Sequence, residues 1–235
     1  MSDAPAQTAP PGRFQTVTVA SVPGEGNAGW CGYSTGRGLV VLARGVGGHD
    51  EGHSEAFGVA ARFCQKTASR AEALRTSPAD ARAALWEAAR ESLEATSLSS
   101  MFMEATVLVH RSSEWHAFSC GSNRVLRIAG AGSCEIVAPH TADRALPPGE
   151  AAPDHVRGIA TRMLGLESSA ESFDQGSTVL TPGTGIVVVP DASLASIVPR
   201  QLPDIDGVAA WFRETASTHI RPNRRFAAVW HGAGG

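Results

Sequence analysis

The segment TVTVASV (residues 16–22) alternates small polar and apolar residues, a period of two that predicts a half-buried strand. Residues 33–42 read as a hairpin with STGRG as its loop, and the apolar run 39–42 leads into a glycine cluster. Beyond the cluster Phe57, Ala60, Ala61 and Cys64 recur at helical spacing. A second helix is marked more strongly, by SPADARAALWEAARESLEAT: Ser77 is placed to cap it, Pro78 suits the first turn, and Asp80 completes a pattern close to a capping box. Its inner face is Ala81, Leu85, Ala88, Ala89, Ser92 and Leu93. Four short runs with turns between them, ATVLVH, WHAFSC, RVLRI and SCEIV, predict an antiparallel meander. PHTADRALPPGEAAPDH is a polar connection, and VRGIATRML reads as a helix ending at Gly165. PGTGIVVVP is a buried strand after a tight turn, and DASLASIV a short helix. DGVAAWFRETASTH is a longer helix with Val208, Trp211, Phe212 and Ala216 on one face, and RFAAVW is a closing strand. Strands in the middle and helices around them make an α+β fold, with no internal repeat.

Composition narrows the function classes. The chain has 235 residues, 43% hydrophobic and 18% charged, which suits a globular domain with a sizeable core. A net charge of −3 gives no basic field for nucleic acid. Cys31, Cys64, Cys120 and Cys134 are scattered, so reduced core cysteines are expected rather than disulfides or zinc. Residues 1–12, rich in Ala and Pro, read as a disordered tail without the apolar core of a signal peptide. No apolar run reaches the ~18 residues of a membrane helix, so a cytoplasmic protein without a membrane partner is expected.

Five short stretches carry a resemblance. ARGVGGH (43–49) is similar to the D-G-M-G-G-H or D-G-H-G-G at the end of a strand, and CGSNR (120–124) to G-D-S-R. RMLG (162–165) is similar to R-x-L-G, PGTGIVVVPDAS (182–193) to p-G-D-x-l-L-L-x-S-D-G, and NRRF (223–226) to D-N-x-T. Together, and in this order, they resemble the metal-dependent serine/threonine phosphatases of the type 2C (PPM-type) family. The resemblance implies a central sandwich of two antiparallel β-sheets flanked by helices, spanning residues 13–235 as one domain. In that family two divalent cations, held mainly by aspartates, activate a bridging water and clamp the phosphoryl oxygens.

The departures from the pattern fall on the metal ligands. The first acidic motif aligns with NAG (27–29), so Gly29 stands at its aspartate. Arg44 stands at the aspartate of D-G, although Gly45 still offers a carbonyl. Asp191 keeps the aspartate of S-D-G with Ala192 for its glycine, and Asn223 replaces the aspartate of D-N. Asp191 and Asn223 are therefore the remaining candidate metal ligands. Val46 occupies the place where some members carry a general-acid histidine. At ~5 Å and an effective dielectric of ~20, a unit positive charge and a divalent cation repel by roughly 6–7 kcal/mol. The two-metal centre is thus not expected to form, no cofactor is expected, and Arg44 is expected to fill the site, paired with Asp191. Arg44 with the amides of Gly47 and Gly48 makes a candidate anion site.

These expectations describe a degenerate, non-catalytic module that binds a phosphoprotein or a signalling partner. The alternative is an active manganese- or magnesium-dependent phosphatase with a rearranged site built on Asp191, Asp50 and Glu51. A zinc reading of His49 and His53 is disfavoured, because Asp50 takes the glutamate position of H-E-x-x-H and Gly52 weakens the helix.

Overall fold

The computed structural model describes residues 14–20, 30–35, 38–47, 53–96, 100–130, 132–147, 150, 152–153, 158–189, 204–219 and 225–232. The chain runs β1 (Phe14–Ala20), β2 (Trp30–Thr35), β3 (Leu39–Val46), α1 (His53–Ser69) and α2 (Pro78–Glu94). It continues through β4 (Phe102–Arg111), β5 (Glu114–Cys120), β6 (Arg124–Ala129), β7 (Gly132–Val137) and the single turn α3 (Ala142–Ala145). It ends with β8 (Asp174–Thr178), β9 (Thr184–Val189), α4 (Ile205–His219) and β10 (Arg225–His231).

The strands form two five-stranded sheets, one in the order β1-β10-β9-β6-β7 and the other β2-β3-β4-β5-β8. Every strand pair is antiparallel. Strand alternation sorts β3 between two layers. Val40 and Leu42 face the other sheet, joining Leu108, Trp115, Ile186, Val188 and Val229. Leu39, Val41 and Ala43 face α1 and α2, with Val59, Phe63, Leu85 and Ala89. On the far side α4 lays Val208 and Phe212 against Val187, Phe226 and Ala228. The result is helix, sheet, sheet, helix. Each fully buried Leu, Val or Phe in these layers contributes about 1.5–3 kcal/mol of transfer free energy.

Local chemistry explains the helices. Ser77 Oγ accepts from the amide of Asp80 at 3.1 Å, Pro78 opens α2, and the buried residues are the six on the expected inner face. In α1 the inner face is rotated from the expected one: Ala56, Val59, Ala60, Phe63 and Cys64 are buried, whereas Phe57 is exposed. Trp115 and Trp230 are core residues, and Trp86 and Trp211 pack partly buried against it. Cys64 and Cys120 are buried and Cys134 is exposed, so only part of the core expectation holds for the cysteines.

Two other expectations need correction, and one strand has no expectation attached to it. Residues 158–164 are not helical; they run extended and bridge Thr141 to Ala160 and Met103 to Leu164. β8 lies in a stretch with no apolar alternation and forms on the edge of β5. The meander is split between the sheets: β4 and β5 pair in one, β6 and β7 in the other. Gly121, at φ 119°, turns the chain across the gap. The expected helix at 192–199 lies outside the described residues.

Candidate functional site

The crossing from β5 to β6 sits at one end of the inter-sheet space. Arg44 has the parity of Val40 and Leu42, so it points into that space, and Glu104 is its direct partner in the β3–β4 register. Arg44 Nη1 donates to Glu104 Oε1 at 3.3 Å. The other carboxylate oxygen accepts from the Ser122 amide at 2.7 Å and from the Ser122 hydroxyl. Glu104 is 2% exposed and Arg44 27%. A carboxylate so deeply buried must be paired and hydrogen-bonded, and this one is held by a guanidinium, an amide and a hydroxyl. One register step deeper a polar layer begins. Thr106 and Ser119 share a hydroxyl hydrogen bond of 2.8 Å, and Asn123 Nδ2 donates to Thr106 Oγ1 at 3.0 Å.

The opposite side of the same turn is fastened by His140. Its amide donates to the Gly121 carbonyl at 2.8 Å, and its Nδ1 accepts from the Gly121 amide at 3.1 Å. In the neutral ring this leaves the proton to Nε2, which faces Asp174 Oδ2, 2.7 Å away on β8. Arg162 Nη2 touches the same Nε2 and donates to Asp174 Oδ2 at 3.1 Å. Burial lowers the His140 pKa; the Asp174 hydrogen bond opposes this and the Arg162 charge reinforces it. With both nitrogens engaged, this imidazole has none left for a substrate. Burial also pushes the thiol of neighbouring Cys120 up to about 12, so it is no nucleophile at neutral pH.

Of the residues picked from the sequence, Arg44, Gly45 and Gly47 lie in the described structure, and Gly29, Gly48, Asp191, Ala192 and Asn223 outside it. The Arg44–Asp191 pairing therefore also lies outside the described residues. The described carboxylate that meets Arg44 is Glu104, which the sequence reading missed. The signal for it was a lone acid on an apolar strand, at the parity of buried positions. Gly45 and Gly47 have steric reasons. A Cβ on Gly45 would sit 2.1 Å from the carbonyl oxygen of Ala56, so α1 packs directly on that backbone. Gly47 takes φ 132°, and a Cβ there would sit 2.6 Å from the carbonyl oxygen of Ser100.

Whether these residues suit a divalent cation is a question of donors. Glu104 is engaged with three donors, and a guanidinium stands beside it. Among the described residues no three His, Cys, Asp or Glu side chains converge as a metal site would require. Among the described residues, this donor set does not supply the carboxylates that a pair of manganese or magnesium ions needs.

No protein-family model matches the sequence, and no curated protein matches it. Solved structures do. The serine/threonine phosphatase PstP/Ppp of Mycobacterium tuberculosis is 17% identical with a TM-score of 0.66, covering 92% of this chain and 96% of its own. Stp1 from Staphylococcus aureus is 16% identical with a TM-score of 0.60, over 94% and 95%. PppA, a key regulatory component of T6SS in Pseudomonas aeruginosa, is 17% identical with a TM-score of 0.57, over 92% and 96%. The catalytic domain of PstP in complex with 2 manganese ions reaches a TM-score of 0.67 at 16% identity, over 92% and 96%. The two facing sheets, their helix layers and this agreement over nine-tenths of the chain give one conclusion: the protein has the fold of the PPM-type, or type 2C, serine/threonine phosphatases.

Proposed function

We propose that this chain is a catalytically impaired, type 2C phosphatase-like module that binds a phosphoprotein or a signalling partner instead of hydrolysing a phosphoester. The observation that carries the reading is the Arg44–Glu104–Ser122 cluster. Where the resemblance puts a metal-binding aspartate stands a cation, neutralised from within by a carboxylate that accepts from Ser122. Such a pair replaces the charge balance of a metal centre without supplying a hydroxide nucleophile. Arg44 stays partly exposed. This reading includes one domain from residue 13 onward, a cytoplasmic location, and no nucleic acid, membrane or cofactor as partner. No described helix is long and apolar enough to cross a membrane.

The test is manganese calorimetry and aryl-phosphate hydrolysis by the full chain, beside retention on immobilised phosphoserine and phosphothreonine peptides and their unphosphorylated forms. The expected result is no metal-dependent turnover and retention that requires the phosphoryl group. Turnover that rises with manganese and is lost in Asp191→Ala would establish an active phosphatase built on Asp191, Asp50 and Glu51.

A further inference from the structure

His140 sits where three parts of the chain meet. Its backbone and Nδ1 hold Gly121 on the β5–β6 turn, and its carbonyl accepts from the Thr161 amide at 2.8 Å. Its Nε2 reaches Asp174 on β8. Around it, residues 138–147 and 158–164 are joined by the Ala142 amide donating to the Ile159 carbonyl at 3.0 Å and by the Thr141–Ala160 bridge. The pair is pinned to β4 by the reciprocal Met103–Leu164 hydrogen bonds of 2.8 Å.

The donor pattern fixes Nδ1, while Nε2 faces the Asp174 carboxylate, which favours a proton there, and the Arg162 guanidinium, which does not. Nδ1 faces an amide N–H, so it must offer a lone pair. A second proton would sit on Nδ1 and set two donors against each other. The charges nearby do not compensate. Asp174 attracts an imidazolium, but it is already engaged by the Arg162 guanidinium, which repels one. Cys120 at the end of β5 is a neutral thiol, and Glu104 on β4, across Gly121, is held by Arg44 and Ser122.

We infer that His140 is a proton-sensitive latch: neutral, it clamps residues 138–147 and 158–164 to the Gly121–Ser122 turn, and protonated, it releases them. Release loosens the Gly121–Ser122 turn, whose Ser122 amide and hydroxyl hold Glu104. The inference holds whether or not the site hydrolyses phosphoesters. The sign follows from the geometry. Protons bind the released form at the ordinary imidazole value, about 6.5, and the clamped form only below it. The clamp is thus complete above about pH 6.5 and weakens as pH falls toward the clamped-state value.

The experiment is nitrogen-15 NMR of the full chain from pH 5 to 8, reading the His140 ring nitrogens and the Gly121, Thr161 and Leu164 amides. At pH 7.5 His140 is expected as the Nε2–H tautomer. On acidification the three amides should shift with the His140 midpoint, below the ordinary value. Asp174→Asn should move that midpoint down and Arg162→Met should move it up. His140→Asn, which keeps an acceptor near the Nδ1 position, should flatten the amide titrations. An Nδ1–H tautomer, amides that ignore the His140 titration, or midpoints that move the same way in both charge variants would overturn the inference. Should a variant fail to fold, the tautomer and amide titrations of the unmodified protein still decide it.

Discussion

Arg44 and Glu104 are direct cross-strand partners in the β3–β4 register, and their charged groups meet at 3.3 Å. The two ends of this pair are unequal, because Glu104 is buried and Arg44 partly exposed. Glu104→Ala strands the Ser122 amide and removes the counter-charge, so it should cost about 2–4 kcal/mol. Arg44→Ala leaves Glu104 with Ser122 and should cost less, about 1–2 kcal/mol after allowance for solvent screening. Urea denaturation of both single variants and the double variant should give a coupling of about 1 kcal/mol. A coupling near zero would mean that the pair has no structural weight.

Gly121 is required by the same carboxylate. It adopts φ 119°, and a Cβ there would lie 2.6 Å from Glu104 Cβ and 2.8 Å from Oε2. Gly121→Ala should therefore lose about 1–3 kcal/mol in a denaturant melt. Gly121→Ala combined with Glu104→Ala should lose only slightly less than the sum of the two, because the contacts with Cγ and Oε2 are gone while the Cβ that alanine keeps still stands 2.6 Å away.

Stability should rise with pH through the histidine range. Burial is the largest cause of the lowered pKa of His110, His116 and His140. The unfolded chain takes protons at about pH 6.5 while the folded chain resists them, so stability is full above that value and lost as pH falls through the folded-state values. Urea midpoints at pH 7.5, 6.0 and 5.0 should fall in that order, and a flat series would contradict the assignment.

Thiol chemistry should separate the cysteines. Cys134 is exposed, whereas Cys64 and Cys120 are buried, Cys120 with its pKa at about 12. At pH 8 an alkylating reagent should modify Cys134 at once and Cys120 only at the rate of unfolding. Mass spectrometry of timed digests reads both.

Much of the fold was legible because it rests on local periodicity. The α2 face came from residues spaced along one helix, and Ser77 and Pro78 marked its start through chemistry confined to a few residues. The α1 face slipped by one position because residues 56–61, AFGVAA, are an unbroken run of apolar residues and glycine that blurs the phase over more than a turn. Residues 158–164 have helical spacing, yet the chain is drawn out by Met103 and His140, partners distant in sequence. β8 has the composition DQGST and forms only because the edge of β5 recruits it. The site was half legible. Arg44 could be picked out against the motif, but Glu104 becomes its partner only once β3 and β4 are in register. Likewise His140, Arg162 and Asp174 are brought together by three separate segments, and nothing in their spacing announces it.

The order β1-β10-β9-β6-β7 has a consequence for how the chain is made. Among the described residues β1 is attached to its sheet through β10 alone, and β10 lies near the other end of the sequence. A ribosome delivers the first strand long before its neighbour. Until β10 emerges, β9 and β1 each present an unsatisfied edge, the kind of surface that invites pairing with other nascent chains. The opposite sheet has no such delay on its first side, since β2 and β3 close as a hairpin as soon as both are out of the exit tunnel. The two halves of the sandwich therefore mature on different clocks. Synthesis rate and chaperone capture are expected to matter most for the half that closes last.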